Sequence, residues 1–189
     1  VYTNGGFITS FAGDAFTALF PMSPEAEIRA VFTAFTVQKF FSQYTGIQTP
    51  TGDFPFGVNI GLGAGAVEWG IIGGDEGHTF YFRGEAIEGC TAADAVAGVG
   101  QIVAPMGFMR ETLPQITAQP LGDYVLLTGG DVHLTPLNPN LTELTRADLM
   151  PFVDEAVFAL DAAAEFRQVA TVFISLQSTD RERIGRARV

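Results

Sequence analysis

Apolar residues fall in short runs along this chain, punctuated by glycine, proline and aspartate, and the runs change period. Phe7, Ile8 and Phe11 precede Gly13-Asp14, and Phe16, Ala18 and Leu19 follow it, which predicts two strands joined by a tight hairpin. Ser23, Pro24 and Glu25 form a helix start: a hydroxyl, a proline for the first turn, then acids. Ile28, Val31, Phe32, Phe35 and Phe40 follow at mostly helical spacing, and Gly46 is the expected stop. Such a helix covers one face of a sheet. A strand is expected from Phe54 to Ile60, a glycine-rich bend from Gly61, a second strand to Gly73, and another from Thr79 to Arg83 ending at Gly84.

The second half continues the alternation. Glu85 to about Val103 reads as helix, with Ala86, Ile87, Cys90, Ala93 and Ala97 on one face. Pro105 to Asp131 predicts two or three short strands broken by Pro114, Pro120 and Gly122-Asp123, with Tyr124–Leu127 the clearest. Thr135 to Asn140 is a proline- and asparagine-rich linker. Arg146 to Ala164 is expected to be helical, opened by Thr145 with Asp148 three residues on. Glu165 to Leu176 reads as a new strand, followed by a polar tail. Strands and helices alternate without strict βαβ repetition, so the expected class is α/β, an α+β sandwich of a mixed sheet with packed helices. The organisation read from these segments is a domain over 1–134, linker and helix over 135–164, a strand over 165–177 opening a second domain, and a basic tail over 178–189.

Composition narrows the chemistry. The 189 residues include 17 phenylalanines and only 16% charged residues, which favours a packed core over disorder. The net charge of −11 argues against a nucleic-acid binder, which neutralises phosphates with clustered Lys and Arg. Arg181, Arg183, Arg186 and Arg188 crowd the C-terminal end and read as a solvated tail. Cys90 is the sole cysteine, so no intrachain disulfide is possible. That fits a reducing compartment, and a cytoplasmic location is expected. No apolar run reaches the ~20 residues of a membrane helix, so no membrane partner is expected. His78 and His133 lie far apart, without the spacing of a zinc site. Gly61, Gly63 and Gly65 lack the third glycine, and the following helix, of a dinucleotide loop.

The candidate chemistry sits at Asp14. A Gly-Asp tip allows a tight turn and sets one carboxylate clear of an apolar sheet. Two readings stay open on this segment: the aspartate caps its own turn, or it holds a cation.

In order, Gly5-Gly6-Phe7-Ile8 with Phe11-Ala12-Gly13-Asp14-Ala15, then Ile60-Gly61-Leu62 with Gly65 and Val67, then Gly70 and Gly73, then Tyr81, Gly84, Ala86 and Ile87, resemble a class III nucleotide cyclase catalytic domain. The narrower resemblance is to the first cyclase domain of soluble tandem-domain adenylyl cyclases. It is carried by Phe11–Ala15, by Gly74-Asp75-Glu76 with His78, Phe80 and Gly84, and by Glu165–Leu176, which looks like the opening strand of a second such domain.

The resemblance implies a ferredoxin-like core with added strands. It implies two metal ions, Mg2+ or Mn2+, held by two aspartates, and conversion of ATP or GTP to a 3′,5′-cyclic nucleotide and pyrophosphate. Asp14 falls on one of those aspartates. The other lies on a first strand that the resemblance sets before Val1, and Ser175 occupies its place in the 169–176 strand. Ser10 stands at the base-recognising lysine, and Glu88 and Ala92 at the transition-state asparagine and arginine. Neither Ser10 nor Thr91 and Ala92 supplies the cations for bicarbonate. These departures imply a metal-contributing half that works with a partner cyclase domain and is inactive by itself. The alternative they leave open is a non-catalytic dimerisation or regulatory module. Without a first strand the sheet is expected to be open beside the hairpin, with Val169–Leu176 as a candidate to fill it.

Overall fold

The computed structural model describes residues 1–44, 46–54, 56–74, 77–108, 115–139 and 142–158. Val1–Phe152 forms one compact unit and Val153–Val189 another. In the second, the described structure is one helical turn, Glu155–Phe158.

The first unit begins with a short 3-10 turn, Tyr2–Asn4. Strands β1 (Phe7–Ala12) and β2 (Ala15–Leu19) then make an antiparallel hairpin. Helix α1 spans Ala26–Phe41. A small hairpin joins β3 (Ile47–Thr49) to β4 (Gly52–Phe54), followed by the two-residue β5 (Ile60–Gly61). Strands β6 (Glu68–Gly74) and β7 (Gly77–Arg83) form a long antiparallel hairpin. Helix α2 (Glu85–Val96) leads to β8 (Ile102–Pro105), and β9 (Ile116–Leu121) and β10 (Tyr124–Gly130) complete a sheet ordered β5-β8-β10-β9. Strand β5 runs parallel to β8, and the other pairs are antiparallel, so the sheet is mixed. The expected α+β class is the observed one.

The core lies between α1 and this sheet. Ile28, Val31 and Ala34 of α1 meet Leu62, Ile102, Ala104, Ile116, Val125 and Leu127. Val31, Ile102 and Val103 are fully buried, and each such side chain contributes about 1.5–3 kcal/mol. The predicted helical stripe is correct at Ile28 and Val31, whereas Phe40 is exposed beyond the sheet.

Several boundaries differ from the sequence reading. Helix α1 starts after Glu25, and its end at Phe41 comes before Gly46, capped by the Ser42 amide donating to the Gln38 and Phe40 carbonyls. The helix expected to reach Val103 stops at Val96, because Ile102–Pro105 is drawn into the centre of the sheet. The strand expected over Phe54–Ile60 is only its two ends. Pro120 does not break β9, because β9 is an edge strand where a missing N–H costs no ladder bond. The capping box at Thr145 is present, yet α3 ends after one turn (Arg146–Leu149), and Pro151 follows in a turn. The expected helix is therefore interrupted: residues 150–153 are turn and bend, and Glu155–Phe158 is a separate helical turn. Residues 159–164 of that helix, the strand over 165–177 and the tail lie outside the described residues.

A buried polar cluster ties the segment after β10 to α1. The Arg29 guanidinium, largely buried, donates to Glu25 Oε2 at 2.6 and 3.0 Å and to the Thr135 carbonyl at 3.3 Å. Asn4 donates to Thr33 Oγ1 at 2.8 Å, and the Leu137 amide to the Thr3 carbonyl at 2.7 Å.

Candidate functional site

The β1–β2 hairpin turns on two residues. Gly13 has φ 65°, the left-handed conformation that costs a glycine nothing. Phe11 pairs with Phe16 and Ala12 with Ala15 across the turn. An irregularity between Ile8 and Ser10 shifts the register, and the buried Thr9 hydroxyl donates to the Thr17 carbonyl at 3.2 Å. The Phe11 and Phe16 rings lie 6.0 Å apart on the hairpin and stay exposed, Phe11 at 72%.

Asp14 is exposed at this tip. No hydrogen bond or ion pair engages its carboxylate among the described residues, so it does not cap its own turn. A carboxylate held in a tight turn with its oxygens open fits one ligand position of a hard divalent cation. It does not fit a whole site: among the described residues no three His, Cys, Asp or Glu side chains come together. Asp14 would therefore hold such an ion only with a second carboxylate brought beside it.

The other positions singled out by sequence lie elsewhere. Ser10 is an exposed residue of β1, and Glu88 and Ala92 are exposed on α2. None adds positive charge. His78 pairs with the Phe152 ring at 5.8 Å, and Asp75 and Glu76 lie outside the described residues. His133 contacts Asp131 at 3.0 Å with both side chains more than nine-tenths exposed. In the β6–β7 hairpin, Arg83 donates to Glu68 at 2.8 Å, and Tyr81 to the same oxygen at 3.1 Å. The hydrogen bond that Arg83 donates to Glu68 pushes the Arg83 pKa further up.

Between the Gly13-Asp14 hairpin and the four-stranded sheet lies an open slot of about 690 Å3. One wall is β2, through Thr17, Ala18 and Leu19; the other is Gly61–Gly65. Alanines of both helices, Ala26, Ala30 and Ala86, line it with Phe7, Phe82 and Phe108. Phe7 and Phe82 lie 6.2 Å apart and bring the first hairpin against the β6–β7 hairpin. Among the described residues β2 pairs only with β1 and β5 only with β8; sequence reasoning did not identify the residues that line the slot. The available signal was the Gly61/Gly63 alternation. A Cβ at Gly61 would strike the Cys90 carbonyl and the Asp94 amide, and one at Gly63 the Ala86 carbonyl and the Cys90 amide. Those glycines let α2 lie directly on the strand. The Cys90 thiol donates to the Gly61 carbonyl at 3.2 Å, and burial, with Asp94 nearby, pushes its pKa up.

No protein-family model and no curated protein matches the chain. Solved structures do. The catalytic core of a rhodopsin-guanylyl cyclase with converted specificity, in complex with ATPalphaS, matches with a TM-score of 0.54 and 20% identity, covering 66% of this chain and 72% of that one. A dimeric guanylyl cyclase domain of the RhoGC fusion protein from the aquatic fungus Blastocladiella emersonii gives 0.56 and 19%, covering 68% and 73%. The adenylyl cyclase CyaB from P. aeruginosa gives 0.54 and 15%, covering 69% and 76%. At these identities the likeness is one of fold, and the fold is that of class III adenylyl and guanylyl cyclase catalytic domains.

Proposed function

We propose that this chain is the metal-contributing half of a class III nucleotide cyclase, which forms a 3′,5′-cyclic nucleotide and pyrophosphate from ATP or GTP. The observation that carries the reading is Asp14: an exposed carboxylate at a glycine turn of the β1–β2 hairpin, with no partner among the described residues. Asp14 would hold one side of a Mg2+ or Mn2+ ion. Such an ion, when bound, supplies the positive charge that stabilises the phosphates and activates the attacking hydroxyl. The chain's own part is positional. The two-residue turn fixes where the carboxylate stands, and Phe11 and Phe16 beside it keep the tip apolar on its flanks.

The half-site is incomplete, and a partner cyclase domain supplies the rest. Ser10, Glu88 and Ala92 offer no cation for base or phosphate, so those groups come from across the interface. Two observations support a partner. Trp69, Ile71 and Ile72 of the β6–β7 hairpin are more than half exposed and Phe80 nearly half, more apolar surface than one hairpin ordinarily leaves to water. One of the similar structures is itself a dimeric cyclase domain.

The test is an assay of the partnered protein with ATP and GTP, each with Mg2+ or Mn2+, beside Asp14→Ala and Asp14→Asn. Loss of a metal-holding carboxylate is expected to lower turnover about 100-fold or more. Equal cyclic-nucleotide formation by all three would overturn the assignment. A second reading, a dimerisation or regulatory module, is favoured by the same Ser10, Glu88 and Ala92. Asp14-dependent turnover would exclude it.

A further inference from the structure

The β1–β2 hairpin holds two registers that a regular ladder would not reconcile. At its base Phe7 pairs with Leu19 and Ile8 with Ala18. At its tip Ser10 pairs with Thr17, Phe11 with Phe16 and Ala12 with Ala15. Thr9 is the extra residue between them: Thr9 and Ser10 together oppose Thr17, which makes a β-bulge on β1.

Each register has its own anchor. The Phe7 ring lies 6.2 Å from that of Phe82 on the β6–β7 hairpin, and Gly6 leaves no room for a Cβ beside the Phe20 ring, so the base is tied to its surroundings. The tip is tied to its turn. Gly13 comes first with φ 65° and Asp14 second, and among the described residues none but glycine has a positive φ; these are the signs of a type II′ turn. The Phe11 and Phe16 rings, 6.0 Å apart, add a cross-strand pair.

Continuing the base register to the tip would undo that turn. Thr9 would face Thr17, Ser10 would face Phe16 and Phe11 would face Ala15, leaving Ala12, Gly13 and Asp14 as a three-residue loop. Such loops ordinarily put a left-handed residue last. That place would fall to Asp14, and the glycine would stand in the middle, where its freedom is not needed. The bulge therefore decides where the Asp14 carboxylate stands. A bulge disrupts the ladder, so it needs a bond of its own. Thr9 supplies it: the residue is 5% exposed, and its hydroxyl donates to the Thr17 carbonyl at 3.2 Å, directly across the bulge. Valine has nearly the same shape and cannot make that bond.

We infer that Thr9 is a positioning residue for Asp14, holding the bulge that puts the aspartate second in a two-residue turn. Bulges recur beside functional sites because one extra residue re-aims its neighbours. Thr9 touches neither ion nor nucleotide in this role. The register follows from geometry alone; the effect on turnover rests on the cyclase reading of Asp14.

In the full-length chain, Thr9→Val, Thr9→Ala and Thr9→Ser are compared with the parent by NMR. Nuclear Overhauser contacts from Phe11 to Phe16 or to Ala15 read the register, and the Val31 and Ile102 methyl signals report the core. The Phe11–Phe16 contact is expected to fall about tenfold in the valine and alanine variants, with Phe11–Ala15 replacing it, while the serine variant keeps the parent pattern. The parent pattern in the valine and alanine variants overturns the inference. Loss of the core signals in both overturns it as well, because Thr9 would then serve the fold and not the tip. In the partnered protein, assayed with ATP and GTP and Mg2+ or Mn2+, Thr9→Val is expected to lower kcat about tenfold and leave the nucleotide KM within about threefold, with Thr9→Ser restoring turnover. A shifted register with parent turnover leaves the role of Thr9 standing and overturns the metal-holding role of Asp14. Absent turnover in every form, the parent included, counts against the cyclase reading alone.

Discussion

At the scale of single residues, backbone clearance and one open carboxylate matter most. Gly61 and Gly63 are fixed by what α2 presses against them. A methyl group at Gly61 would meet the Cys90 carbonyl and the Asp94 amide, which belong to a helix backbone and cannot rotate away. Gly61→Ala is therefore expected to destabilise by about 1–3 kcal/mol, read as a fall in the urea midpoint at constant slope. Gly13→Ala meets no atom but must hold φ 65°, so its cost is confined to about 1 kcal/mol of backbone strain. At Cys90, burial raises the thiol pKa, so alkylation at pH 8 is expected to be slower than that of a free thiol. A rate equal to the free thiol's would mean that the packing of α2 on β5 opens readily.

Elements depend on their neighbours as much as on their own pattern. Helix α1 is long enough to announce itself, and its buried stripe follows the expected spacing. Its tie to the segment at Thr135 rests on Arg29, whose position in the sequence gave no sign of burial. Arg29→Met keeps the stem and removes three donated hydrogen bonds. A loss of about 1–2 kcal/mol is expected, moderated because Glu25 is exposed enough to be rehydrated. Helix α3 offers a pH test. Hydrogen bonds from the Thr145 hydroxyl and amide hold the Asp148 carboxyl below the usual carboxylate range. A depressed folded pKa means that the stabilising contribution is present above the unfolded value, near 3.9, and is lost as pH falls through the folded value. Titration of the Asp148 side chain by NMR should give a midpoint below 3.9, and Thr145→Val should return it toward that value.

The chain is acidic, and in its first unit, Val1–Phe152, the described residues leave two apolar surfaces uncovered, the slot and the β6–β7 hairpin. With a net charge of −11, binding to duplex DNA at physiological salt is expected to be undetectable by fluorescence anisotropy. If the β6–β7 hairpin meets a partner domain, Trp69→Lys should weaken that association at least tenfold while leaving the thermal midpoint of the separate chain within a few degrees, because Trp69 is 64% exposed. Equal loss of both would place Trp69 in the fold instead of the interface.

The sequence by itself determined the hairpin at Gly13-Asp14, the extent of α1 to within a few residues, the strand at Tyr124–Leu127 and the capping box at Thr145. These are local: turn chemistry, apolar period and side-chain-to-backbone bonds act within a few residues of one another. Tertiary structure alone decided that Ile102–Pro105 is a central strand instead of the end of a helix, that Pro120 is harmless on an edge, and that Arg29 is buried. It also decided that the glycines after Ile60 serve helix packing. Each depends on partners tens of residues away, and apolar runs of four or five residues carry no period that separates strand from helix. Asp14 divides the same way. Its place at a turn tip was legible, because glycine and aspartate announce the turn; that it has no partner among the described residues, and that a slot lies beyond its hairpin, follow from how the described elements pack.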